Sequence, residues 1–232
     1  MDRYFFYFAM NSPSYPIIDS VDKEILMHRE AHFGGLFSLM LDYYQEGGKG
    51  VQEAFSLARI EQLALLEKEL QQNLAPLYLQ GAEAERVGEA KQGYVQLREI
   101  LEHPKKNNLH ARLVAELLLS EKESPEEEIA AIVACGEASI PSLLQLLQSD
   151  SFTSTLFPGY GFAHELAAEC LGRIGHHKAL YPLFEQLGQG DFFAEEKTLR
   201  GLKALGEPAK QFLLKKMQSL PYGEENIQAA MA

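Results

Sequence analysis

Three segments in the second half of the chain align on a glycine: PEEEIAAIVACG at 125–136, HELAAECLGRIG at 164–175 and EEKTLRGLKALG at 195–206. Each carries apolar residues at helical spacing, and helices end readily at a glycine because it adopts the left-handed conformation that other residues resist. A second apolar-periodic segment follows each glycine: EASIPSLLQLL, HHKALYPLFEQL and EPAKQFLLKKM. With one extra residue allowed after Gly175, Leu143, Leu183 and Leu213 fall in one column, and Leu147, Leu187 and Met217 in another. A helix pair this short cannot bury its apolar face alone, so the pattern predicts pairs stacked on one another as an α-solenoid. The units are 125–148, 164–188 and 195–218, with a partial unit opening at Pro221 whose single helix, in YGEENIQAAMA, is expected to expose an apolar face and to favour self-association.

Upstream of the repeats the pattern is again helical. NSPSYPIID at 11–19 predicts extended or turn structure. A helix is expected from Ser20, with Asp22 and Glu24 in its first turn, a kink at Gly34-Gly35 and an end at QEGGKG (45–50). An amphipathic helix follows over 51–72, broken by NLAPLYLQG, then another over 82–102, a turn over 103–108 and a helix in LHARLVAELLLS. The expected organisation is an N-terminal helical region at 1–80 followed by a repeat array at 82–232. The loop SDSFTSTLFPGYGF lies between two units, and its Phe152, Phe157 and Tyr160 are read either as a contact element or as cover for the gap.

Leucine, alanine, glutamate and glutamine dominate, valine and threonine are sparse, and there is no tryptophan, which makes all-α the expected fold class. The formal net charge of −12 argues against nucleic acid or an anionic membrane as partner, since both need clustered cations. The acidic excess lies ahead of residue 163. Cys135 and Cys170 are the only cysteines and sit in apolar helical stretches without metal-ligand spacing, which predicts buried free thiols in a reducing cytoplasm. MDRYFFYFAM has too few aliphatic residues and no cleavage site for a secretory signal, and reads as a docked segment. Nothing approaches the ~18 apolar residues of a membrane span.

LAAECLGRIGHHKALYPLFEQL, within 164–188, resembles a HEAT repeat of the short type found in phycobilisome lyases and many bacterial proteins: small residues, then LGxIG, then alanine, leucine and proline. The resemblance is clearest at 164–188, present at 192–218 and 125–148, and fades before residue 82. It implies paired antiparallel helices in a right-handed superhelix and says little about activity.

Histidines supply the candidate chemistry. His164-Glu165 resembles the His-Glu pairs with which deoxyhypusine hydroxylase, a HEAT-repeat enzyme, binds two irons. Such a site needs ligands from several repeats. The repeat alignment puts Pro125, His164, Glu195 and Gly223 in the histidine column, but Glu126, Glu165, Glu196 and Glu224 in the glutamate column. A first-turn carboxylate favours the helix dipole without any metal, so the glutamate reads as architecture and no metal or cofactor is expected. His176-His177-Lys178 reads as a solvent-facing turn. His28 and His32 share one helix face, but HREAH is not the HExxH of zinc proteases, and a surface or partly buried pair is expected. A chromophore-lyase role, implied by the same repeat type, is the other enzymatic alternative. The HEAT-like DNA glycosylases use basic grooves, which this acidic chain does not suggest.

Recognition remains as the expected function: a non-catalytic, cytoplasmic scaffold binding a protein or peptide. In HEAT arrays the second helices line the concave face. Their outward positions here are Gln145 and Gln148, Tyr181 and Glu185, and Lys215 and Lys216. Tyrosine beside mixed charge suits a protein ligand.

Overall fold

The computed structural model describes residues 16–103, 108–122, 124–149, 152–187 and 192–232, so the MDRYFFYFAM run lies outside the described residues. Among them every regular element is helical: α1 (Ser20–His32), α2 (Phe37–Glu46), α3 (Leu57–Leu70), α4 (Ala75–Tyr78), α5 (Ala82–Glu102), α6 (Leu109–Leu119), α7 (Glu126–Ala134), α8 (Ile140–Leu147), α9 (Ala163–Ile174), α10 (Leu180–Glu185), α11 (Phe192–Ala204), α12 (Glu207–Met217) and α13 (Glu224–Met231). Short 3-10 turns at Gly136–Ser139 and His177–Ala179 lead into α8 and α10. No single helix among the described residues is long and apolar enough to cross a membrane.

Local chemistry explains where the helices start and stop. Asp19 caps α1 by accepting the Asp22 N–H at 2.9 Å, while the Asp22 carboxylate accepts the Asp19 N–H at 3.3 Å; together they satisfy donors that a helix start leaves open. Arg59 of α3 then pairs with both carboxylates. The expected kink is a full break: Gly34 and Gly35 both have positive φ, 60° and 81°, and the Gly35 N–H closes the end of α1 onto the Arg29 carbonyl. The helix expected over 51–72 begins only at Leu57, with Ser56 as its N-cap. The repeat glycines behave as the alignment requires, with φ of 58° at Gly136, 71° at Gly175 and 67° at Gly206.

Two clusters of buried side chains organise the packing. One draws on α1 to α4 and the start of α5, including Ile25, Leu26, Met40, Ile60, Leu74 and Val87. The other runs from the end of α5 through α13, including Leu97, Leu117, Ile132, Leu143, Leu171 and Leu183. Helix α5 contributes to both. So does the inserted loop: Leu156 is buried in the first cluster and Phe157 packs on it, while Phe152 packs on the second. The loop therefore fills space between the N-terminal helices and the repeats.

Helix α9 packs against α7, α8 and α11. Its contact with α11 is unusually close because Gly172, the glycine of LGRIG, faces Gly201. A Cβ on Gly172 would lie 2.6 Å from the Gly201 Cα, and one on Gly201 would lie 2.9 Å from the Ala168 carbonyl oxygen. The two leucine columns differ in burial along the chain. Leu143, Leu147 and Leu183 are fully buried and Leu187 nearly so, whereas Leu213 is half-buried and Met217 is 39% exposed. The pattern that is closed in the first two units is open in the third.

The last helix is not left bare. The Asn226 side-chain amide donates to the carbonyls of Lys216 at 2.7 Å and Ser219 at 2.9 Å, Ala229 is buried, and the Gln228 amide donates to the Leu187 carbonyl at 3.0 Å. The inner face of α13 is thus covered by its own chain, and on its outer side the large apolar residues Ile227 and Met231 are exposed, at 62% and 71%. Both cysteines are free, and burial pushes the Cys170 thiol up to about 12.

Candidate functional site

His164 and Glu165 do not converge. The His164 Nε2–H donates to the Ser149 carbonyl at 3.0 Å, whereas the Glu165 carboxylate is 8% exposed and meets Lys197 Nζ of α11 at 3.0 Å. The recurring glutamates are ion-pair partners: Glu126, in the first turn of α7, pairs with Arg173 at the far end of α9 at 2.7 Å, and Glu196 pairs with Arg200 one turn along α11 but lies beyond the first turn, because α11 starts earlier, at Phe192. Two of the three therefore tie one unit to the next. Among the described residues no three His, Cys, Asp or Glu side chains come together in a metal-holding arrangement.

His176 and His177 sit in the turn before α10, rings 4.2 Å apart. His176 Nδ1 accepts the Lys178 N–H at 3.3 Å, and Lys178 Nζ reaches Glu137 of the preceding unit at 2.6 Å. Cation and carboxylate join consecutive turns.

His32 is half-buried, within the expectation for HREAH, whereas His28 lies deeper than HREAH alone placed it. His28 is buried, and its ring packs edge-on against Phe55 at 5.1 Å. The His32 ring stacks on Tyr160 at 4.6 Å. Its Nε2–H donates to the Thr155 carbonyl at 3.2 Å, which leaves Nδ1 to accept from the Tyr94 hydroxyl at 2.5 Å. Burial holds the His28 imidazole down to about 3 and the His32 imidazole to about 4, the neighbouring histidine and Arg86 adding to the effect on His28. Both are neutral near pH 7. Tyr43 and Tyr160 continue the polar network by donating to the Glu121 carboxylate, and Tyr43 accepts the Gly50 N–H at 2.7 Å. Burial, together with the neighbouring Tyr94 and Tyr43 phenols and the Glu121 carboxylate, raises the Tyr160 phenol far above its usual range. Removing the Tyr160 hydroxyl in Tyr160→Phe is expected to cost roughly 1 kcal/mol in urea unfolding, because the Glu121 end is exposed to water while the stacked ring stays in place.

The six outward residues divide. Gln145 of α8, Gln148 at its end, Tyr181 and Glu185 of α10 and Lys215 of α12 are all exposed. Tyr181 is 47% exposed, and the Glu185 carboxylate beside it raises its phenol above the usual value. Lys216, in contrast, is half-buried: its Nζ lies 5.4 Å from the Tyr181 ring centroid, 5.5 Å from Phe184 and 5.8 Å from Phe212, and it pairs with Glu225 of α13. It is a clasp holding α10, α12 and α13 together, not a free cation. Phe184 and Phe212 join α10 to α12 edge-to-face at 5.4 Å. Structure thus brings Tyr181, Glu185 and Lys216 into one patch. Gln145, Gln148 and Lys215 flank α8 and α12 without hydrogen bonds or ion pairs among the described residues. Nothing in the sequence marked Lys216 as different from Lys215, because two of the three rings that capture it, Tyr181 and Phe184, come from another unit.

Two concave features accompany this patch. A small cleft lies over the Gly172–Gly201 contact, between Glu169, Arg173, Lys197 and Arg200, and each of those cations already has a carboxylate partner. A larger groove of about 570 Å³ runs between α11 and α12. Comparison of the chain with protein-family models, with curated proteins and with solved structures finds no match.

Proposed function

We propose that this chain is a non-catalytic scaffold of HEAT-like helical repeats, an α-solenoid that recognises a protein or peptide across the solvent face of α8, α10 and α12. The observation that carries this reading is Tyr181, an aromatic ring left half-exposed yet held in place by Glu185 on one side and Lys216 on the other. A pre-set tyrosine offers a large amphipathic contact at small entropic cost, which is why such residues dominate binding energy at protein interfaces. The exposed glutamines and Lys215 around it supply a polar rim. A net charge of −12 suits a protein partner better than nucleic acid. The two unpaired thiols suit a reducing compartment such as the cytoplasm. The deoxyhypusine hydroxylase alternative finds no support at His164 and Glu165, whose side chains are committed to Ser149 and Lys197.

Affinity capture with the whole chain tests the reading when wild type is compared with Tyr181→Ala combined with Lys215→Glu. Both positions are exposed, and Phe184, Phe212 and Glu225 still hold Lys216 when the Tyr181 ring is removed, so the variant is expected to stay folded with at most a small fall in its thermal midpoint. It should lose any stoichiometric partner at least tenfold, in line with a hot-spot aromatic. Equal capture by wild type and by the folded variant would remove this surface as the binding face.

A further inference from the structure

The columns that close in the first two units open in the third. Leu213 is half-buried, Leu214 is 46% exposed and Met217 39%, and together with Leu199, Leu202 and Ala209 they line the groove between α11 and α12. Exposed aliphatic residues gathered in one groove mark an interaction site more strongly than the same residues scattered. Its rim carries more cations than carboxylates: Arg200, Lys203 and Lys210 stand along it beside Glu196. Arg200 pairs with Glu196 and Lys210 with Glu207, which leaves Lys203 as the cation on this rim without an ion pair among the described residues.

Helix α13 carries the complementary pattern. Glu225, Asn226, Gln228 and Ala229 face its own chain. Glu224, Ile227 and Met231, at spacings of three and four, form one outward stripe; all three are exposed. An acidic, apolar stripe and an apolar groove with a basic rim therefore occur on the same surface, since Ala232, next to α13, borders the groove. A patch that carries both halves of a complementary pair side by side can pair with a second copy of itself about a two-fold axis, each copy donating and receiving the same element.

We infer that two copies of this chain associate reciprocally, the Glu224–Ile227–Met231 stripe of each lying in the α11–α12 groove of the other, with Glu224 meeting Lys203. This interface leaves Tyr181, Glu185 and Lys215 free, so it stands or falls separately from the recognition surface proposed above.

Sedimentation velocity on the full chain from about 1 to 100 µM, a range that brackets micromolar self-association, tests it. Wild type is expected to reach twice the 26.0 kDa chain mass. Ile227→Glu with Met231→Glu should remain at the single-chain mass with an unchanged thermal midpoint, because both side chains project into solvent. Lys203→Glu should weaken association at least tenfold, and adding Glu224→Lys should restore it. A wild-type chain that stays monomeric throughout, or a dimer that survives Ile227→Glu with Met231→Glu, overturns the inference. So does a monomer whose groove takes up an acidic amphipathic helix from a different protein.

Discussion

Gly172→Ala is expected to destabilise the chain by roughly 3 kcal/mol, and Gly88→Ala to stabilise it by a few tenths to about 1 kcal/mol. The same methyl group is added in both cases, to the interior of a helix. Intrinsic propensity favours alanine over glycine at each site, so the sign is decided by what the new Cβ meets. At Gly88 in α5 there is no atom within 4 Å, and at Gly172 the backbone of Gly201 stands at 2.6 Å. A flexible side chain could move aside, but a backbone atom can give way only if α9 and α11 separate. Separation opens the contact that buries Leu171 and Leu202, and overpacking of this kind outweighs the helical gain. Urea unfolding of the two variants checks the pair. Equal shifts of the same sign would mean that the glycine contact does not hold the units together.

Lowering the pH from 7 to 5 is expected to remove roughly 3 kcal/mol of stability, through His28 and His32. In the folded chain their imidazoles stay neutral down to about 3 and about 4, against 6.5 when unfolded. Between about 6.5 and 4 the unfolded chain therefore binds more protons than the folded one, and stability falls as pH falls; above 7 the two states bind equally and the effect vanishes. The groups facing this pair are Phe55, Tyr94, Thr155, Tyr160 and Arg86, none of them an anion that would compensate the charge by direct contact. Carboxylates held low by cations, such as Glu30 beside Lys91 and Arg29 and Glu126 beside Arg173, lose their stabilising contribution only below about 4.5, so they do not contaminate the window. Urea midpoints at pH 7.5, 6 and 5 measure the slope. His32→Gln should remove about half of it, since glutamine keeps polar atoms near Tyr94 and Thr155 but does not titrate. A flat profile between pH 7.5 and 5 would contradict the buried, neutral state of the pair.

What was readable in the sequence is what repeats locally. Gly136, Gly175 and Gly206 announced three helix ends because only glycine takes that backbone conformation without strain, and the apolar columns announced the second helices because their members recur at helical spacing, buried at Leu143, Leu147, Leu183 and Leu187 though not at Met217. The all-helical character followed from composition in the same way. The interior of the N-terminal helices was not readable, because its partners are distant in the chain. His32 is defined by Tyr94, Thr155 and Tyr160. Arg29, whose local pattern reads as surface, has a completely buried side chain because Glu67 at 2.5 Å and Asn73 at 2.8 Å accept from its guanidinium and Phe37 packs on it at 4.4 Å. No periodicity encodes such a convergence. The same holds at the candidate site: exposure of Tyr181 could be read from helical phase, but the capture of Lys216 by three rings and Glu225 could not.

Hydrogen exchange of the chain alone and in complex with its captured partner is the most direct test of recognition by the second helices. The account predicts new protection in α10 and α12, in peptides spanning Tyr181 to Glu185 and Lys215 to Gln218, with the helices α1 to α4 unchanged. Protection confined to α1 to α4, with α10 and α12 exchanging as in the free chain, would contradict it.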